Sequence, residues 1–103
     1  MLYKTTFYTM TTEGIKKQNG YCDDKWCYYK GYSNNDGCDR WYIVDPMTGL
    51  SIDKDSSRDK AREKANSKEM LDKFNSFQKS ETYTKYVNNF YTAQVEKGII
   101  MVL

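Results

Sequence analysis

The chain has 103 residues, 16 Lys and Arg against 14 Asp and Glu for a formal charge of +2, and 39% hydrophobic and 16% aromatic residues. A chain this short buries about 60–65% of the surface it exposes when unfolded, enough for one core but not for a two-domain enzyme with a deep cleft between lobes. It contains no His, which removes the usual general base at neutral pH, the commonest metal ligand and the middle member of a Ser/His/Asp arrangement.

In chain order, residues 2–10 alternate, with Tyr3, Thr5, Phe7 and Thr9 on one face and Leu2, Lys4, Thr6 and Tyr8 on the other, in residue types that favour pleated structure. This predicts a first strand. Residues 11–20 are polar with two glycines and read mostly as a loop, with a short helical turn around 13–18 as the alternative. Residues 25–32 hold Trp26, Tyr28, Tyr29 and Tyr32, residues 33–37 supply turn chemistry, and residues 40–44 resume an apolar run, so a hairpin is expected. A second turn follows at 45–49, where Pro46 presets φ and Gly49 accepts a positive φ, and residues 50–52 form a short strand after it.

From Ser56 the pattern becomes helical. Ser56 and Asp59 provide capping chemistry for a helix beginning near Ser57, with Ala61 and Ala65 on its buried line and Met70, Leu71, Phe74 and Phe77 continuing that line. Asn66 and Ser67 interrupt the run, which predicts a kink or a second helix starting at Ser67. Tyr83, Tyr86, Val87, Phe90, Tyr91, Gln94 and Val95 keep helical spacing, so Ser80 or Glu81 opens a further helix and Gly98 stops it. The five apolar residues 99–103 are expected in a last strand or against a partner, where an apolar chain end at a sheet edge invites pairing with a second copy. The expected fold is α+β in a single domain: a small antiparallel sheet of three or four strands from residues 1–55, covered by two or three helices from residues 56–97.

Ten Tyr, four Phe and two Trp exceed what so small a core can hide, so some rings reach the surface, where they line a sheet face or contact a partner. Cys22, Cys27 and Cys38 are odd in number and have the wrong spacing for a closed zinc site. With no secretory signal in residues 1–10 and no apolar run long enough to span a membrane, the chain is expected in the cytoplasm with free thiols. No cofactor or metal is expected.

Residues 1–55 carry seven basic and eight acidic side chains and residues 56–103 nine and six, so the helical half is mildly basic. Arg58, Lys60, Arg62, Lys64, Lys68 and Lys73 could follow a phosphate backbone, but Asp59, Glu63, Glu69 and Asp72 are interleaved as on a solvated face. There is no glycine-rich phosphate cradle, nucleophile elbow or metal-binding helix motif, and the chain reads as a non-enzyme.

The stretch Trp41-Tyr42-Ile43-Val44-Asp45-Pro46-Met47-Thr48-Gly49-Leu50-Ser51-Ile52 followed by residues 57–65 resembles the strand, turn, strand, helix unit of small orphan proteins of phages and mobile elements from low-GC bacteria. Such proteins include anti-CRISPRs and other inhibitors of host defence that act by binding. The resemblance implies a non-catalytic inhibitor that sterically blocks a nucleic-acid-binding surface of a bacterial defence protein. Trp26, Tyr28, Tyr29 and Tyr32 are the candidate apolar anchors, and Asp36 and Asp39 are placed to meet basic residues of the target. The first half also resembles the sheet-plus-helix DNA-binding domains of the AP2 and integrase arm type, which implies the alternative of a DNA-binding module using Arg40, Trp41, Arg58 and Arg62. Either reading allows a monomer or a homodimer, and neither involves a membrane.

Overall fold

The structure, a computed structural model, describes residues 1–100. These form β1 (Tyr3–Thr11), β2 (Gly14–Cys22), β3 (Cys27–Ser33), β4 (Cys38–Val44) and β5 (Ser51–Asp55), then α1 (Arg58–Ala65), α2 (Lys68–Gln78) and α3 (Glu81–Glu96). The strands lie in chain order in one antiparallel sheet. The α+β class is as the sequence indicates, but the sheet has five strands rather than three or four, because residues 14–20 are strand and not loop. Their Lys, Gln and Asn side chains give no apolar alternation. They are held in register instead by a two-residue turn in which Gly14 takes φ +104°, and in which the Thr11 hydroxyl accepts from the Glu13 amide and donates to the Gly14 carbonyl. The strand expected at 50–52 also runs on to Asp55.

One face of the sheet is covered by the helices. Trp26, Tyr28 and Ile43 pack there against Ala61 and Ala65 of α1, Phe74 of α2 and Tyr83 of α3. The two alanines are fully buried, so the backbone of α1 lies close on β3, β4 and β5, as small side chains permit. Phe74 meets Trp26 edge-on at 4.7 Å between ring centres and Tyr83 at 5.8 Å, the T-shaped geometry that aromatic quadrupoles favour. Each helix starts at a serine whose hydroxyl accepts an otherwise orphan amide: Ser57 from Lys60, Ser67 from Met70 and Ser80 from Tyr83. The interruption at Asn66 and Ser67 is thus a break between two helices rather than a kink. In α3 the expected apolar line is only partly used, with Tyr83 and Phe90 buried and Tyr86 and Tyr91 exposed.

The other face is closed at one end by the sheet itself. β2 pairs with β3 only at Tyr21↔Tyr28 and Cys22↔Cys27, so the β1–β2 hairpin swings out of line and coils back. Phe7 thereby reaches Tyr29 and packs with it on Cys22, Cys27 and Val44. The Met10 amide on the outer side of β1 donates to the Gly49 carbonyl at 2.8 Å, joining the first strand to the turn at 45–49. Asp45 fixes that turn, accepting from the Met47 amide and the Thr48 hydroxyl, and it also accepts the Tyr83 hydroxyl at 3.0 Å. Burial and the neighbouring Asp45 both push the Tyr83 phenol upward.

Cys22 and Cys27 form a disulfide, which corrects the expectation of three free thiols. The strand missed at 14–20 hides the register that sets these two residues opposite each other. Cys38 is free and exposed. Closing a loop this short removes about 2 kcal/mol of unfolded-chain entropy. Urea melts with and without dithiothreitol are therefore expected to differ by that amount, and coincident melts would show that the bridge does not hold the β2–β3 junction.

At the end of α3, Gly98 adopts φ +73° as a helix stop, and the amides of Ile99 and Ile100 both donate to the Gln94 carbonyl. Residues 99 and 100 are a half-buried bend, and the remainder of the strand expected over 99–103 lies outside the described residues. Among the described residues no helix is long and apolar enough to cross a membrane.

Candidate interaction surface

The β3–β4 hairpin presents the part of the sheet that the described helices and the coiled hairpin leave open. Ser33 and Cys38 close it around a four-residue turn in which Gly37 takes φ +68° and its amide donates to the Ser33 carbonyl. This fixes the register, so Tyr29 stands opposite Tyr42 and Tyr32 opposite Asp39. Tyr29 and Tyr42 stack with 5.2 Å between centres and 18° between planes. Gly31 leaves room for the two rings, since a Cβ there would lie 3.2 Å from Tyr29 and 3.5 Å from Tyr42. The Tyr42 hydroxyl donates to the Tyr32 carbonyl, and Tyr32 itself is 63% exposed. Burial raises the Tyr29 phenol, a hydroxyl contact from Ser51 opposes this, and Tyr42 adds to the rise.

A charged cluster borders the rings. The Asp36 carboxylate accepts from Lys54 at 3.0 Å, from Arg40 at 3.3 Å and from the Ser33 hydroxyl at 2.9 Å, and Lys54 also donates to Ser33 at 2.8 Å. The Lys54 hydrogen bond first, then Ser33 and the two positive charges, hold Asp36 below the usual carboxylate range against a small opposing effect of burial. The Lys54 ammonium lies 6.0 Å from the centre of the Tyr42 ring. Asp39, next to Arg40 along β4, is exposed on the opposite face of the strand.

Of the expected partner contacts, Tyr29, Tyr32, Asp36 and Asp39 all lie on this hairpin, with Tyr32 and Asp39 on the opposite face from Tyr29, whereas Trp26 and Tyr28 are not available to a partner. Both are 0% exposed in the helix-covered core. Trp26 is turned inward by the loop at 23–26, where Asp23 accepts from the amides of Lys25 and Trp26, and Tyr28 is one register position too early to share the face of Tyr29. Its hydroxyl donates to Asp23 at 2.7 Å. Of the four residues of the DNA-binding alternative, Trp41 and Arg58 both meet the Tyr21 ring and Arg62 follows Arg58 by one helical turn, but each is engaged within the chain. Arg40 is held by Asp36, and Trp41 packs half-buried against the helix-side core. Arg58 lies over the Tyr21 ring at 4.4 Å, and Arg62 donates to Asp23 at 3.3 Å. Glu69 and Lys73 form an exposed pair at 3.2 Å, the solvated face that their spacing implies.

Phe7, Ser33, Tyr42 and Lys54 are the members of this surface not singled out beforehand. The strand alternation already places Tyr42 two residues beyond Arg40, and the turn at 33–37 sets it across from Tyr29, so that pairing was readable once the hairpin register was drawn. Lys54 lay beyond the expected end of its strand. Elsewhere, an open and mostly apolar groove of about 390 Å³ runs between residues 50–53 and the Met70, Phe74 and Phe77 side of α2, with Asp53 and Lys73 at its rim. No protein-family model, no curated protein and no solved structure matches the chain.

Proposed function

We propose that this chain is a binding protein without catalytic activity, an inhibitor of phage or mobile-element type that covers the nucleic-acid-binding surface of a bacterial defence protein. The observation that supports this reading is the aromatic β3–β4 hairpin, which carries the Tyr29–Tyr42 stack on one face and, on the other, the exposed Tyr32 in register with Asp39. Rigid aromatic side chains lose little entropy on contact and supply most of the energy at small interfaces. Asp39 contributes electrostatic complementarity to a basic, nucleic-acid-binding partner, while Asp36 is already neutralised by Lys54 and Arg40 and serves to hold the hairpin.

The test is titration of the purified chain into a candidate defence protein bound to its nucleic acid. A stoichiometric loss of nucleic-acid binding is expected, and Tyr32→Ala is expected to weaken the chain by about thirtyfold, the effect of a central anchor worth about 2 kcal/mol. Tyr32 is mostly exposed, so this variant keeps the fold. A defence-protein partner whose nucleic-acid binding is unchanged at saturation would overturn the proposal.

One observation favours the second reading, a nucleic-acid-binding module: Lys54 stands beside the Tyr42 ring, with Arg40 joined to it through Asp36, a combination of cation and aromatic on which bases stack. Tight binding of generic DNA at about 50 mM salt, falling by orders of magnitude at about 200 mM, would select it.

A further inference from the structure

Among the described residues the two edge strands of the sheet differ. On β5 the outward groups of Lys54 are satisfied within the chain: its amide donates to the Asp53 carboxylate at 2.8 Å, and its carbonyl accepts the Lys64 ammonium at 2.9 Å. An edge capped in this way does not accept another strand.

On β1, residue pairs with β2 alternate between those that exchange hydrogen bonds and those that direct their amides and carbonyls outward. The outward donation of the Met10 amide to Gly49 sets the phase, so Lys4, Thr6 and Tyr8 also face outward. Lys4 and Thr6 are exposed, and among the described residues the contact at these outward groups is the Thr5 hydroxyl, 3.3 Å from the Thr6 carbonyl on the surface.

We propose that this edge of β1 pairs with the β1 edge of a second copy, antiparallel about Thr6, so that two sheets join into one. The register follows from the sequence. Pairing about Thr6 sets Thr6 against Thr6 and Lys4 against Tyr8, and makes about six hydrogen bonds between the chains. The two Lys4 ammonium groups, the only formal charges in β1, then stand about 13 Å apart along the strands, beyond the screening length in physiological salt. Pairing about Lys4 would set the two ammonium groups directly opposite each other. Pairing about residue 7 would need the Met10 amide, which Gly49 already occupies. The surface is distinct from the β3–β4 hairpin, so a dimer can present two ring surfaces at once.

The test is mass by light scattering as the chain is concentrated to about 1 mM, the weak limit of specific association. A rise from 12.2 kDa to twice that value is expected. Thr6→Lys, which places like charges across the two-fold axis, and Thr6→Pro, which removes an amide unused within the monomer, are expected to stay at one chain mass with an unchanged circular dichroism spectrum. An equimolar mixture of Thr6→Lys and Thr6→Glu is expected to recover a one-to-one dimer. A parent that stays at 12.2 kDa throughout, a dimer that survives both Thr6→Lys and Thr6→Pro, or a mixture that remains monomeric would overturn the proposal.

Discussion

Gly20→Ala is expected to destabilise the chain by about 3 kcal/mol or more, a large share of the roughly 5–15 kcal/mol that holds a domain of this size together. Gly20 lies on β2 where the strand begins its short pairing with β3. A Cβ added there would overlap the Tyr28 carbonyl oxygen and stand 3.1 Å from Phe7. Phe7 can shift, but the Tyr28 oxygen belongs to the backbone of a central strand and has no rotamer in which to retreat. The overlap can be relieved only by parting β2 from β3. Since only two residue pairs join those strands, the strain falls on that short ladder, while the Cys22–Cys27 bridge keeps the strands tethered. Urea denaturation checks the magnitude. A melt within about 0.5 kcal/mol of the parent, the ordinary range of surface substitutions, would mean that β2 has freedom to move away from β3.

Asp23→Ala is expected to cost about 3 kcal/mol by a different route. One carboxylate oxygen accepts the Trp26 and Lys25 amides at 2.8 and 3.0 Å, and the other accepts the Tyr28 hydroxyl at 2.7 Å and Arg62 at 3.3 Å. Tyr28 is fully buried, so its hydroxyl would lose its acceptor away from water, a penalty of about 1–3 kcal/mol, while the half-exposed Arg62 would recover solvent. The loop that turns Trp26 into the core would lose both of its side-chain caps. Desolvation alone would raise this carboxyl, but the two amides, then Tyr28 and Arg62, outweigh it and hold Asp23 below its ordinary value. A depressed folded value means that the stabilisation is present above the unfolded carboxylate range near pH 4 and is lost as pH falls through the folded value. The parent is therefore expected to weaken on acidification below about pH 4, and the gap between parent and Asp23→Ala to narrow there. A gap that stays constant down to about pH 2 would show that the charge of Asp23 contributes nothing.

Local chemistry carried most of the fold. The serines at 67 and 80, the turn residues at 33–37 and 45–49, and the alternation of Phe7 with Thr5 and Thr9 state their roles in the residues themselves, while the first helix is capped by Ser57, one residue past the expected Ser56. What the sequence left open is set by neighbours distant along the chain. Lys16, Lys17, Gln18 and Asn19 form a strand because β1 lies beside them, and with that strand unread neither the Cys22–Cys27 bridge nor the burial of Trp26 could be placed. Trp26 and Tyr28 look like surface anchors in a run of aromatics, and only the registers of β2, β3 and β4 separate them from Tyr29. The hairpin half of the candidate site was legible for the same reason, since its register depends on a turn of four residues.

The order of elements along the chain has a consequence for synthesis on the ribosome. Every strand neighbours the one made just before it, so the whole sheet can assemble as it emerges, while the segments that shield Trp26, Tyr28 and Ile43 are all translated afterwards. During that interval the nascent chain carries a bare aromatic surface beside the rim of its first strand, and it is then that a chaperone has most to protect. Docking of the two alanines of the first helix begins to end the exposure, and it is complete only when Phe74 and Tyr83 of the later helices have been made.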